Sequence, residues 1–108
     1  MQTSKPDPQP RFSDFAKFYP YYLGEHANRR CRQLHFAGTS LVIVLLIAAV
    51  LSGRPGLLLA LPVVGYGFAW VGHYYFERNR PATFTHPLWS LRGDFLMWWQ
   101  LLTGRLAF

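Results

Sequence analysis

Two long stretches of this chain place apolar residues on every side of a helix rather than along one stripe. The first, Leu34 to Ser52, reads LHFAGTSLVIVLLIAAVLS, with no formal charge and His35 as its only imidazole. The second, Gly56 to Phe76, reads GLLLALPVVGYGFAWVGHYYF, again without formal charge and with His73 near its far end. A helix of about 20 apolar residues crosses the hydrocarbon core of a bilayer. Both runs reach that length, the first only just. A buried hairpin of a soluble bundle would keep a polar face on each helix, so the all-round apolar character favours the membrane. Between the runs, Gly53-Arg54-Pro55-Gly56 has turn chemistry, because glycine tolerates unusual dihedrals and proline cannot continue a helix. The pattern predicts a tight transmembrane hairpin with spans at about 34–52 and 56–76. Pro62 is expected to kink the second span, and Gly65, Gly67 and Gly72 to allow close helix contact.

The flanks are different. Phe12 to Leu23 (FSDFAKFYPYYL) is short and aromatic; Ser13 is placed to cap a helix there, and Pro20 to break or restart it. The tail from Pro87 to Phe108 carries Trp89, Trp98 and Trp99 but is interrupted by Arg92 and Asp94. Tryptophan favours the headgroup level, which suits a helix lying in the interface. The alternative is a third, poorly hydrophobic crossing that would move the C-terminus to the opposite side. The expected fold class is thus an all-α membrane protein. Its transmembrane hairpin is flanked by a short N-terminal helix and a Trp-rich C-terminal interfacial helix. Residues 12–108 form the single membrane domain. Met1 to Arg11 is polar and proline-rich and is expected to be a disordered tail, since it buries too little apolar surface to offset its ordering entropy.

Charge adds an orientation. The 108-residue chain has a formal charge of +6, which in a soluble protein would raise nucleic acid as a partner. Here Arg29, Arg30 and Arg32 precede the first run and Arg78 and Arg80 follow the second. Arginines so placed suit anionic headgroups or a substrate carboxylate, and nucleic acid is set aside. Arg54 alone lies in the turn, so the positive-inside rule puts both termini in the cytoplasm. Cys31, the only cysteine, forms no intramolecular disulfide. Met1 to Arg11 lacks the apolar region of a signal peptide. No Walker loop, dinucleotide loop or nucleophile elbow is present.

The four histidines are His26, His35, His73 and His86. In an antiparallel hairpin His35, early in the first span, and His73, late in the second, come to the same membrane side. His26 and His86 lie just outside the spans on that side. Imidazole binds iron, zinc, copper and nickel, and ionisable groups at the edge of hydrocarbon are usually functional. All four histidines are therefore candidate metal ligands, with His35 and His73 foremost. His26 and His35 are nine residues apart, about half a turn out of phase at roughly 3.6 residues per turn. Sharing a metal requires a bend between them, and Gly24 is the obvious breaker. His73 and Glu77 are four apart and share a helix face, making Glu77 an extra ligand or an orienting group; Asp94 is a second such candidate. Glu25, Glu77 and Asp94 have the alternative of pairing with nearby arginines. Arg80 and Arg92 are candidates to clamp a carboxylate, against the plainer role of interfacial snorkelling.

The segments FAKFYPYYLGEHANRRCRQLHFAGT, GYGFAWVGHYYFERNRPATF and HPLWSLRGDF closely resemble the small membrane proteins related to the yeast 2-hydroxy fatty acid dioxygenase. The resemblance runs from about Phe12 to beyond Phe95 and holds all four histidines. It implies an iron(II)-dependent enzyme of fatty acid α-oxidation. The yeast protein works in the endoplasmic reticulum on acids made from phytosphingosine, shortening a 2-hydroxy fatty acid by one carbon with oxygen, and needs its histidines. For this chain it implies Fe(2+) as cofactor, a 2-hydroxy fatty acid and O2 as substrates, and a shared metal site of the four histidines; His35 and His73, foremost on topology, are the catalytic candidates. The bilayer is the standing partner, a homo-oligomer is allowed, and the bacterial look of the compact chain places it in an inner membrane. The rival classes are a non-enzymatic lipid-binding or assembly protein, a haem protein, and a diiron hydroxylase; the last would need HxxxH and HxxHH boxes that are missing.

Overall fold

The structure is a computed structural model that describes residues 12–108; Met1 to Arg11, expected to be disordered, lies outside the described residues. The described residues are helical, without strands. The first helix, α1 (Phe15–Gly24), starts at Asp14, whose carboxylate accepts the Lys17 N–H at 2.8 Å. Asp14 thus caps the helix in place of the expected Ser13. A carboxylate is at least as good an N-cap as a hydroxyl and also complements the dipole. Nor does Pro20 break α1, which continues through it to Gly24.

The chain turns at 25–28, and α2 (Arg29–Ser52) begins where the Asn28 side chain accepts the N–H groups of Arg30 and Cys31. It ends at Gly53, whose φ of 66° is the left-handed conformation that glycine takes without strain. A second long helix, Pro55–Glu77, follows. It opens as a 3-10 turn, becomes α3 (Ala60–Trp70), and closes as a π-helix over Val71–Glu77. Pro62 falls near the start of α3, just after the 3-10 turn gives way to α-helix.

The two long helices pack antiparallel through small residues. A Cβ on Gly72 would meet Cys31 Sγ at 2.9 Å, one on Gly38 would meet Phe68 Cβ at 2.8 Å, and one on Gly65 would touch Val42 at 3.4 Å. Gly67, by contrast, faces open space. Both helices are long and apolar enough to cross a membrane, and Leu41, Val44, Ile47, Val50, Leu58 and Val63 are exposed on them.

After a short 3-10 turn at Ala82–Phe84, α4 (Pro87–Leu102) packs on α1 and α2. Its inner face, Ser90, Gly93, Met97 and Leu101, is buried. Phe18 and Tyr22 of α1, one turn apart, join Met97, Leu101 and Ala82 in the buried core. Tyr22 lies so close that a Cβ on Gly93 would sit 3.1 Å from its ring. Trp98 Nε1 donates to Ser40 Oγ at 2.9 Å, fixing α4 against the first half of α2. The outer face of α4 leaves Leu88, Leu91, Phe95, Trp99 and Leu102 exposed.

Candidate metal centre

Three of the four histidines meet. His26 comes from the turn after α1, His35 from the second turn of α2, and His73 from the π-helix. The out-of-phase spacing of His26 and His35 is resolved by the break between α1 and α2. His26 Nε2 lies 3.1 Å from His35 Nε2 and 2.9 Å from His73 Nε2. The three rings are close to mutually perpendicular, with interplanar angles of 87°, 77° and 90°. All are buried, with 1%, 5% and 2% of their surface exposed.

Hydrogen bonds on the other nitrogens set the protonation. His26 Nδ1 lies 2.7 Å from the Tyr22 carbonyl, His35 Nδ1 3.1 Å from the Cys31 carbonyl, and His73 Nδ1 2.7 Å from Asn79 Oδ1. These partners only accept. The Asn79 amide orientation is fixed independently, since its nitrogen donates to the Glu25 carbonyl at 3.0 Å. Each Nδ1 must therefore carry the hydrogen, which leaves each Nε2 with a bare lone pair. Burial, reinforced by the neighbouring imidazoles, pushes the His26 pKa well below its usual value, so it is neutral. Three neutral lone pairs then point at one another inside the protein with no donor between them. That arrangement is repulsive by itself and is relieved by a cation.

The dimensions suit one. Two imidazole nitrogens bound at right angles at about 2.1 Å from a metal are about 3.0 Å apart. A haem held between two histidines would need nitrogens about 4 Å apart on opposite ring faces, wider than either spacing here. Cys31 completes a group of four whose donor atoms lie within 4.8 Å of one another and which can hold a metal ion. Its Sγ, however, is 3.8 Å from His35 Nδ1, the nitrogen turned away from the triad.

His86 is elsewhere. It precedes α4, its Nδ1 is 2.9 Å from Thr85 Oγ1, and its ring stacks on Trp89 and packs against Phe12 and Phe18. Glu77 accepts the backbone N–H of Asn28, tying the end of the π-helix to the turn that carries His26. Asp94 accepts the Tyr22 hydroxyl. Burial pushes Asp94 up to about 7 and, together with Asp94, holds Tyr22 well above the usual phenol value. The Arg80 guanidinium lies 4.9 Å over the Phe84 ring and that of Arg92 4.2 Å over Phe15.

The triad forms one end of an open-sided cavity of about 380 Å3. Its walls are apolar over most of their length: Val42 and Leu46 of α2, Leu61, Gly65 and Ala69 of α3, Leu91 and Phe95 of α4. From His35 to Leu46 is eleven residues, a lane of about 16 Å at helical rise. Thr39, Ser90 and Asp94 add polar groups; Arg80 and Arg92 are not among the lining residues.

A family model described as 2-hydroxy-palmitic acid dioxygenase Mpo1-like matches residues 12–106. The chain belongs to that family. No curated protein and no solved structure matches it.

Within this Mpo1-like chain, sequence reasoning missed Asn79 and Ser90. Asn79 follows Arg78, a non-glycine residue at φ 58°, so the side chain that supports His73 arrives by a turn no helical spacing describes. Ser90 looked like an ordinary helix residue; only its burial on the cavity wall marks it out.

Proposed function

We propose that this protein is an iron(II)-dependent dioxygenase that cleaves long-chain 2-hydroxy fatty acids to the aldehyde one carbon shorter. The observation that carries this reading is the trio of buried, lone-pair-bearing Nε2 atoms spaced 2.9 and 3.1 Å apart at the end of an apolar cavity. Family membership supports the substrate class. His26, His35 and His73 would hold the metal, with Tyr22, Cys31 and Asn79 fixing their tautomers. Iron(II) bound there would supply the redox chemistry that breaks the C1–C2 bond, with oxygen taking up the two electrons and C1 leaving as carbon dioxide. The protein's own part is to keep three imidazoles neutral and aimed together, to exclude water from them, and to lay the acyl chain along the lane towards Leu46 and Leu61. The head of the acid then lies at the triad.

The protein acts, in this reading, within a bacterial inner membrane. The exposed apolar sides of α2 and Pro55–Glu77 face lipid, and α4 lies at the interface. Five flanking arginines against Arg54 alone keep both termini in the cytoplasm, which puts the metal site at the cytoplasmic face.

Anaerobically purified protein reconstituted with iron(II) is expected to consume oxygen when given 2-hydroxypalmitate, and mass spectrometry is expected to find pentadecanal. Absence of oxygen uptake with every long-chain 2-hydroxy acid, in protein that has bound iron, would overturn the proposal.

A further inference from the structure

Ser90 Oγ is the one buried side-chain nitrogen or oxygen among the described residues with no hydrogen-bond partner. The residue is 5% exposed and lines the cavity that ends at the three histidines. A serine inside a helix usually turns its hydroxyl back to a carbonyl of the preceding turn. Here the His86 carbonyl is taken by the Ser90 N–H at 2.8 Å, and the hydroxyl has no such bond. Burying an unpaired hydroxyl is destabilising, so a ligand that supplied its partner would gain from a group already desolvated and held in place.

The surroundings say which ligand group. Ser90 lies in the first turn of α4, a helix of 16 residues, where the helix dipole favours negative charge. No lysine or arginine lines the cavity. Apart from a metal held by the three histidines, an acid entering it meets only neutral donors, and Ser90 is the one that is buried and unpaired. Asp94, one turn further along the same wall, is partly neutral at neutral pH because burial brings it to about 7, so its repulsion of an anion is reduced. Leu91 and Phe95 continue the wall as apolar surface for a chain.

We propose that the Ser90 hydroxyl donates a hydrogen bond to the carboxylate of the long-chain acid lying in the cavity, making Ser90 a head-group binding residue. This rests on the reading of the cavity as the fatty-acid site.

The test uses full-length wild-type protein and Ser90→Ala, both with iron(II), kept anaerobic so that no turnover occurs. Binding of 2-hydroxypalmitate, palmitate and 1,2-hexadecanediol is measured by displacement of a fluorescent fatty acid. Removing a hydrogen bond to a charged group is expected to weaken both acids about tenfold or more and to leave the diol unchanged. Because Ser90→Ala deletes an unpaired hydroxyl, its thermal midpoint should equal or exceed that of wild type, so weaker binding cannot be put down to misfolding. Wild-type affinity of Ser90→Ala for both acids would overturn the proposal, as would equal losses for acids and diol. The dioxygenase reading fails separately. Serine-dependent acid binding without oxygen uptake supports the role of Ser90 and sinks the oxygenase. Oxygen uptake with unchanged acid affinity in Ser90→Ala does the reverse.

Discussion

Asn79→Ala isolates what holds His73 in its tautomer. The wild-type amide accepts from His73 Nδ1 at 2.7 Å and donates to the Glu25 carbonyl and carboxylate at 3.0 and 3.3 Å. Its loss does two things. It frees the His73 ring to carry its hydrogen on Nε2, where that hydrogen blocks the site. It also loosens the turn that carries His26. Loss of such an outer partner typically weakens metal binding about 10- to 100-fold, equivalent to about 1.4–2.8 kcal/mol. The assay is competition for iron(II), or cobalt(II) as a spectroscopic substitute, against a chromogenic chelator. Asn79→Asp keeps an acceptor for His73 but lacks the amide donors. Near-wild-type affinity in this variant assigns the effect to the tautomer, while a loss equal to that of Asn79→Ala assigns it to the tether. His86→Ala is the control and should bind metal as wild type does, since its ring stacks on Trp89 outside the cluster. Undiminished affinity in Asn79→Ala, or an equal loss in His86→Ala, would refute the reasoning.

Two further outcomes follow from the same contacts. Gly38→Ala places a methyl 2.8 Å from Phe68 Cβ and 3.2 Å from its Cγ. It should destabilise the protein by about 1–3 kcal/mol, read as a lowered thermal midpoint in detergent, whereas Gly67→Ala, facing open space, should leave the midpoint within a degree or so of wild type or raise it; equal midpoints for the two variants would contradict the packing. Asp94→Asn should remove a pH dependence. With the carboxyl raised from 3.8 to about 7 in the folded protein, the folded state holds more protons than the unfolded state between those values. Stability contributed by Asp94 therefore falls as pH rises from about 4 to about 7 and is constant above, by at most about 4 kcal/mol. Thermal midpoints of wild type against Asp94→Asn across that range should converge at the acid end and separate towards neutrality; parallel curves would show that Asp94 is not raised.

The elements were legible because each left a local signal that tertiary packing had no reason to override. Two uncharged apolar runs and a Gly-Arg-Pro-Gly turn give two long helices packed on each other, although α2 starts at Arg29, ahead of the expected run, where Asn28 caps it. Even the bend before α2 could be inferred, from the phase conflict between His26 and His35. What stayed hidden depends on departures from regular geometry. The pairing of His73 with Glu77 assumed roughly 3.6 residues per turn, but the segment Val71–Glu77 is a π-helix. A wider turn rotates Glu77 away from His73 and onto the Asn28 N–H, and the His73 ring takes its support from Asn79 instead. The same holds for His86. It was expected beside the other three, but the 3-10 turn at Ala82–Phe84 and the start of α4 carry it into the aromatic wall of α1. Which end of the hairpin a histidine occupies follows from chain order alone, whereas the approach of His35 and His73 to within about 3 Å of His26 Nε2 depends on the local backbone. The π-helix is thus where the energetics of folding and of the site are linked. A widened turn gives up regular α-helical hydrogen bonding and is often found at functional sites. Here it presents His73 Nε2 to two imidazoles from elsewhere in the chain. A substitution that returned Val71–Glu77 to regular α-helix would relax the backbone and scatter the triad together.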